Sequence, residues 1–218
     1  MTNPHLPDAY PPLDPSAVLW SSTSNNDYAN LLVMMHGWSY DERHLFALQP
    51  SLPPHLTIAS VRAPLPEAGG YAWFPSRGNP IGNPQPWIAN AAVDAVLAWL
   101  DRLPGYRSVG LMGFSQGGAM VLQMMRRRPD AFRYGVQLGG FVVDDVQPGD
   151  EALSVLRPPL FWGRGARDSV IPASAIKRTS EFSASHFTVS EAVYPDLGHD
   201  VAGREIDDLA SFIARHSD

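Results

Sequence analysis

Short runs rich in apolar and β-branched residues recur along the chain, and each is followed by a turn or by a segment of helical periodicity. Runs of this length are typical of strands that are buried on both faces, as in a parallel sheet. They predict strands at Leu31–Met35, Leu56–Val61, Val109–Phe114, Tyr134–Leu138, Leu160–Trp162 and Thr188–Tyr194, with a short edge strand at Val18–Trp20.

Helical spacing of apolar residues, at i, i+3 and i+4, fills most of the gaps between these runs. Strands that alternate with helical crossovers predict an α/β fold with a mostly parallel, twisted sheet and helices on both faces. Residues 63–86, rich in Pro and Gly, are expected to form a long ordered loop. Helices are predicted at Asp41–Leu48, 87–103, Ala119–Met125, Ser174–Phe182 and Glu205–Ala214.

Length and composition favour one domain over residues 1–218, with a Pro-rich, irregular arm at residues 1–16. The net charge of −6 argues against nucleic-acid binding, and the absence of Cys excludes a disulfide framework, a zinc–thiolate site and a cysteine nucleophile. No apolar stretch reaches the length of about 18 residues that a membrane span requires. The sequence predicts a cytoplasmic protein, monomeric or homodimeric, without a membrane span.

Gly113-Phe114-Ser115-Gln116-Gly117-Gly118 carries the sharpest chemical signal in the sequence. It follows a predicted strand and opens a predicted helix, which is the setting of a nucleophile elbow of the G-x-S-x-G type. Such a turn strains the serine backbone, exposes its hydroxyl above the sheet and leaves the next N–H at a helix N-terminus. The pattern predicts Ser115 as a nucleophile and the Gln116 N–H as an oxyanion donor.

A serine nucleophile needs a base, and the base needs an orienting carboxylate, in the chain order Ser, acid, His. His199 lies in a loop between the last predicted strand and the last helix, and Asp168 follows the fifth strand. They are the predicted base and acid. The alternatives lie elsewhere along the chain: His186 for the base, and Asp144 or Asp145 for the acid.

Other residues complete the predicted site. His36-Gly37-Trp38 follows an early strand, so the Trp38 N–H is the second candidate oxyanion donor, and His36 is expected to hold that loop by hydrogen bonds. No metal-ligand or dinucleotide motif is found, and no metal or cofactor is expected. The candidate pocket walls are Trp38, Tyr71, Trp73, Phe74, Phe141 and Val170.

These motifs together resemble the phospholipase/carboxylesterase family of α/β-hydrolases, over roughly residues 30–215. The resemblance rests on His36-Gly37, Ala72-Trp73-Phe74, the Gly113–Gly118 motif, Gly165–Pro172 and Gly198-His199. It implies an α/β-hydrolase fold, and residues 87–216, already assigned to that fold, leave few residues for a large lid domain. It also implies the same nucleophile, acid, base and oxyanion donors as the residues themselves.

The predicted activity is that of a serine carboxylesterase acting on a small ester or thioester, with short- to medium-chain carboxylic esters as preferred substrates. A lysophospholipase or an acyl-protein thioesterase is the alternative within the same family. The remote alternative is a hydrolase-like receptor that binds a ligand without catalysis. Departures from the family's usual sequence argue against a dedicated protein depalmitoylase; they lie at residues 37–44, 138–140 and 163–165.

Overall fold

The computed structural model describes residues 9–21 and 29–217 of the chain. Most of the strands found there coincide with the predicted apolar runs. In chain order they are β1 (Leu19–Trp20), β2 (Asn30–Met35), β3 (Leu56–Val61), β4 (Leu65–Glu67), β5 (Gly70–Ala72), β6 (Ser108–Phe114), β7 (Tyr134–Leu138), β8 (Pro159–Gly165) and β9 (Thr188–Tyr194).

Within the described residues the main sheet has seven strands, in the order β1-β3-β2-β6-β7-β8-β9. β1 pairs with β3 in antiparallel fashion, and every other neighbouring pair is parallel. β4 and β5 form a separate antiparallel hairpin. Because parallel strands point the same way, the loops that leave β2, β6, β7 and β8 all emerge at one edge of the sheet.

The helices cover both faces of this sheet, as the sequence predicts. Leu31 and Val33 of β2 join the apolar core on one face, whereas Leu32 and Met34 join the core on the other. The helices are α1 (Arg43–Phe46), α2 (Pro86–Leu100), α3 (Gln116–Arg127), α4 (Asp150–Leu156), α5 (Ala173–His186) and α6 (Arg204–His216). Buried side chains of α2, α3, α4 and α5 belong to the first core, and those of α1 and α6 belong to the second.

Some boundaries differ from the predicted ones. β8 continues through Gly163 to Gly165, where the sequence prediction ended it at Trp162. α1 is shorter than Asp41–Leu48, because the Asp41 carboxylate accepts a hydrogen bond from the Arg43 N–H (2.9 Å) and so precedes the helix. α4 was not predicted, since Leu153 is its one buried residue and no apolar periodicity results.

The segment 63–86 is ordered, and it contains the β4–β5 hairpin that the sequence prediction missed. Ala68 and Gly69 connect the two strands with positive φ angles of 53° and 84°, as in a type I′ turn, but without the usual Asn-Gly signal.

Residues 1–8 of the predicted arm lie outside the described residues. Residues 9–14 form neither helix nor strand, and a 3₁₀ turn follows at Pro15–Ala17.

Candidate active site

Ser115 lies in a sharp turn between β6 and α3, with φ 54° and ψ −114°. This conformation is rare for a residue with a side chain, and it persists only when its surroundings impose it. A Cβ at Gly113 would lie 2.1 Å from the Gly117 carbonyl oxygen, and a Cβ at Gly117 would lie 1.9 Å from the Met35 carbonyl oxygen. Only glycine fits at these two positions, so the local sequence dictates the turn that presents Ser115.

The structure brings Ser115, His199 and Asp168 into one hydrogen-bonded chain. His199 Nε2 lies 2.9 Å from Ser115 Oγ, and His199 Nδ1 lies 2.7 Å from Asp168 Oδ2. An ionised carboxylate can only accept, so Nδ1 donates to Asp168 and Nε2 is left to accept from the serine hydroxyl. The arrangement can therefore transfer a proton from Ser115 to His199.

Asp168 is held in one orientation by the backbone that follows it. Its Oδ1 accepts hydrogen bonds from the N–H groups of Val170 (2.8 Å) and Ile171 (3.1 Å), while Oδ2 faces His199. The carboxylate is only 3% exposed. A shielded acceptor with fixed geometry sets both the orientation and the tautomer of the imidazole.

The two segments that carry the predicted oxyanion donors, Trp38 and Gln116, lie next to Ser115. Gln116 is the first residue of α3, and the first four N–H groups of a helix have no partner within the helix. Trp38 lies in the loop after β2. A Cβ at the neighbouring Gly37 would approach Ser115 Cβ to 3.4 Å, so this loop runs directly beside the serine.

A cavity of about 570 Å³ opens above Ser115 and His199. Of the predicted walls, Trp38, Phe74, Phe141 and Val170 line it. Tyr40 and Ile81 also line it; both are exposed apolar side chains that gave no signal in the sequence beyond their place in loops. The full lining is Trp38, Ser39, Tyr40, Phe74, Ser76, Asn79, Pro80, Ile81, Phe114, Ser115, Gln116, Phe141, Val170 and His199.

Tyr71 and Trp73 were wrongly predicted as pocket walls. Trp73 is 0% exposed and belongs to the apolar core, where its indole N–H donates to the His36 carbonyl (2.8 Å). Tyr71 packs under the guanidinium of Arg62, 4.7 Å from its ring centre. Trp73 and Phe74 are neighbours in sequence but point different ways, and composition alone does not reveal which aromatic faces the cavity.

The remaining candidates lie apart from this chain of hydrogen bonds. His186 stacks on Phe182, with ring centres 3.9 Å apart, and its Nδ1 donates to the Phe182 carbonyl. Asp144 is exposed, and Asp145 pairs with the buried Arg126. The carboxylate that is hydrogen-bonded to His199 Nδ1 is therefore that of Asp168, and not that of Asp144 or Asp145.

His36 holds the loop after β2, as expected from the sequence. Its Nε2 accepts a hydrogen bond from the Ala63 N–H (3.0 Å), so the proton resides on Nδ1, which donates to the Gly37 carbonyl (2.7 Å). Burial lowers the pKa of His36 to about 4, which keeps the ring neutral near pH 7.

Over residues 9–21 and 29–217, no three His, Cys, Asp or Glu side chains are grouped so that they could hold a metal ion. In the same part of the chain, the structure contains no helix of sufficient length and apolarity to cross a bilayer.

The chain has an α/β-hydrolase fold, in which helices cover both faces of a mostly parallel sheet. A carboxylesterase from Bacillus cereus has the same fold, with a TM-score of 0.76 at 14% identity over 91% of this chain and 93% of that one. Residues 22–217 match the Phospholipase/Carboxylesterase family, and the chain belongs to that family.

Two further relatives match this chain over only part of their own length. A probable carboxylesterase of Oryza sativa subsp. japonica is 26% identical over 160 residues, which are 66% of this chain and 58% of that protein. A carboxymethylenebutenolidase homolog of Mus musculus is 31% identical over 104 residues, which are 48% of this chain and 40% of that protein. The chain thus spans about half the length of these two relatives.

Proposed function

We propose that the protein is a serine carboxylesterase that hydrolyses short- to medium-chain carboxylic esters through an acyl-enzyme intermediate. The observation that carries this proposal is the hydrogen-bonded chain from Asp168 through His199 to Ser115, which ends at the floor of an apolar cavity. Membership of the Phospholipase/Carboxylesterase family supports it. The cytoplasmic location and the oligomeric state expected from the sequence stay predictions.

The proposed reaction begins when Ser115 Oγ attacks the ester carbonyl carbon and His199 Nε2 takes the hydroxyl proton. The carbonyl oxygen becomes an oxyanion, which accepts hydrogen bonds from the N–H groups of Trp38 and Gln116. His199 then gives its proton to the leaving alcohol as the carbon–oxygen bond breaks, and the acyl group remains on Ser115. Asp168 stabilises the imidazolium that forms between these two proton transfers.

Water completes the cycle. His199 takes a proton from a water molecule as its oxygen attacks the acyl carbon, and a second oxyanion forms at the same two N–H groups. The intermediate collapses, Ser115 Oγ leaves and takes back the proton from His199, and the carboxylic acid is released. The steps require no group beyond the residues named and water.

The cavity favours a neutral substrate. The described residues that line it include no Asp, Glu, Lys or Arg, and most of them are apolar. A charged headgroup would lose hydration there without gaining a partner, which costs free energy. This observation ranks simple esters above lysophospholipids.

Ser115→Ala tests the proposed nucleophile. We expect a loss of about 10⁴ to 10⁶ in kcat towards a nitrophenyl ester, because no other group would form the acyl-enzyme. Labelling by a fluorophosphonate probe should disappear at the same time. Ser211→Ala, on the exposed side of α6, is the matched control and should keep full activity and labelling. Substantial activity in a clean preparation of Ser115→Ala would rule out this nucleophile.

A series of nitrophenyl esters tests the proposed chain length. Each buried methylene contributes about 0.8 kcal/mol, and a chain that outgrows the cavity gains nothing further. We expect kcat/KM to rise from acetate to butyrate–octanoate and then to fall. Best activity on palmitate would favour the lysophospholipase or acyl-protein thioesterase alternative, and full absence of turnover with an intact fold would favour the receptor alternative.

A further inference from the structure

The side-chain amide of Gln116 forms hydrogen bonds of its own, in addition to the role proposed for the backbone N–H of this residue. Its Oε1 accepts a hydrogen bond from the backbone N–H of Trp73 (3.0 Å), and its Nε2 donates to the backbone carbonyl of Phe74 (2.8 Å). The oxygen and the nitrogen of this amide thus both bind one short stretch of the 63–86 segment. Since Gln116 is largely buried, these bonds are shielded from competing water.

Trp73 continues this connection to the loop after β2. Its indole N–H donates to the His36 carbonyl (2.8 Å), and the His36 peptide directly precedes Gly37 and Trp38. The His36 ring is fixed in turn by its bonds to Gly37 and to Ala63. A continuous path of buried hydrogen bonds therefore runs from Gln116 through Trp73 to the segment that carries the Trp38 N–H.

We propose that Trp73 and the Gln116 side chain are positioning residues, which form a brace that sets the distance between the two oxyanion donors. The inference rests on the proposed function, because it assigns a role relative to the oxyanion site. The two donors belong to separate segments, the loop after β2 and the first turn of α3. Their spacing must match the oxyanion closely, since displacement by about 1 Å can cost about 100-fold in rate.

A competing explanation is that close packing alone fixes this spacing. Gly117 in the first turn of α3 lies against the Met35 carbonyl, so tightly that a Cβ there would be 1.9 Å from the oxygen. If this contact were sufficient, loss of the Trp73 indole N–H would leave the rate unchanged. A third explanation is that the bonds only hold Phe74 in the cavity wall, in which case substrate binding would change and kcat would not.

Trp73→Phe separates these explanations, because it keeps an aromatic ring and the backbone N–H but removes the indole N–H that donates to His36. Trp162→Phe is the matched control. Trp162 is equally buried, at 1% exposed, and its indole N–H has no hydrogen-bond partner among the described residues. Both substitutions leave a similar small void, so the difference between them reports the hydrogen bond to His36.

We expect Trp73→Phe to lower kcat by about 10- to 100-fold relative to Trp162→Phe, with KM within about threefold of the wild type. Rates are to be normalised to the concentration of active sites from the nitrophenol burst. Binding of an aryl trifluoromethyl ketone, whose adduct with serine carries an oxyanion, should weaken by the same factor as kcat/KM. Binding of the corresponding trifluoromethyl carbinol, which cannot form the adduct and carries no oxyanion, should stay unchanged, whereas a general loss of structure would weaken it as well.

Gln116→Met provides a second variant in case Trp73→Phe folds poorly. It keeps the length of the side chain and the backbone N–H but removes both bonds to residues 73 and 74, and we expect the same pattern of effects. Equal kcat in Trp73→Phe and Trp162→Phe, or a loss confined to KM, would overturn the brace. An inactive wild type, or an active Ser115→Ala, would instead overturn the proposed function itself.

Discussion

The two oxygens of the Asp168 carboxylate have different partners, and this division determines where the proton on His199 resides. Oδ1 accepts from the N–H groups of Val170 and Ile171, and Oδ2 accepts from His199 Nδ1. Backbone N–H groups can only donate, so the atom that faces them must be an acceptor. The backbone after β8 therefore fixes which oxygen is available to the imidazole.

Asp168→Asn should reverse the tautomer of His199. The new amide keeps its oxygen on the two backbone N–H groups and presents its NH₂ to Nδ1, which must then accept. The imidazole proton moves to Nε2, which can no longer take the proton of Ser115. We expect kcat towards a nitrophenyl ester to fall by about 10⁴-fold, with the fold retained as judged by circular dichroism.

Asp144→Asn is the matched control for this substitution, because Asp144 is exposed in the segment after β7. It should leave kcat within about twofold of the wild type, as is usual for a surface change away from the reacting groups. The reverse order of effects would place the functional acid after β7 and would refute the role assigned to Asp168.

At the scale of elements, the last turn of α3 anchors the segment that follows β7. Arg126 is 1% exposed, and its guanidinium donates in bidentate fashion to Asp150 of α4 (2.8 Å for each bond). It also donates to the Asp145 carboxylate (2.8 Å) and to the Val143 carbonyl (3.0 Å). One side chain thus connects α3, α4 and the loop between β7 and α4.

Arg126→Met should lower the free energy of unfolding by about 3–5 kcal/mol, because it leaves two largely buried carboxylates without their cation. Arg128→Ala tests a neighbouring cation whose partner, Asp101, is 52% exposed. Exposed ion pairs contribute about 0–1 kcal/mol, so this control should have little effect. Urea denaturation measures both, and equal losses in the two variants would show that burial of Arg126 adds nothing.

Elements with a periodic pattern could be predicted from the sequence, and elements defined by a tertiary contact could not. β3, β7 and β9 have the predicted bounds, because each is rich in β-branched, aromatic or other apolar residues. β8 was predicted to end too early, since Gly163 and Gly165 are poor strand formers on their own. A Cβ at Gly163 would lie 2.2 Å from Glu205 Oε1, and one at Gly165 would lie 2.1 Å from the Leu197 carbonyl oxygen. These glycines fit close neighbours that are distant in sequence.

At the scale of the whole molecule, the sheet explains why the proximity of Ser115, Asp168 and His199 could be predicted without a structure. Ser115 follows β6, Asp168 follows β8 and His199 follows β9, and parallel strands deliver their C-terminal ends to one edge. Chain order and strand ends therefore predict proximity. The direction in which Trp73 and Phe74 point depends on how the β4–β5 hairpin docks, and no local pattern encodes that.

Glu205 makes the stability of the whole molecule sensitive to pH. It lies in the first turn of α6, 1% exposed, against the backbone of β8 at Gly163. Burial raises the pKa of its carboxyl group to about 8, and the nearby charge of Asp200 contributes in the same direction. The group is therefore neutral in the folded protein at neutral pH and ionised in the unfolded chain.

The sign of the effect follows from this difference in bound protons. Between the unfolded pKa of 4.5 and the folded pKa of about 8, the folded state binds one more proton than the unfolded state. Stability then falls as pH rises, by about 1.4 kcal/mol per pH unit at most, and it levels off above the folded pKa. The contribution of Glu205 to the free energy of unfolding is fully present only below the unfolded pKa.

Glu205→Gln should remove this dependence, because the amide has nearly the same shape and does not titrate. The free energy of unfolding of the variant minus that of the wild type should increase steadily from about pH 5 to about pH 8, and all other titrations cancel in the difference. Urea denaturation of both proteins at three pH values across this range provides the measurement. A difference that stays constant with pH would mean that Glu205 ionises normally in the folded state, and that its contact with β8 tolerates a charge.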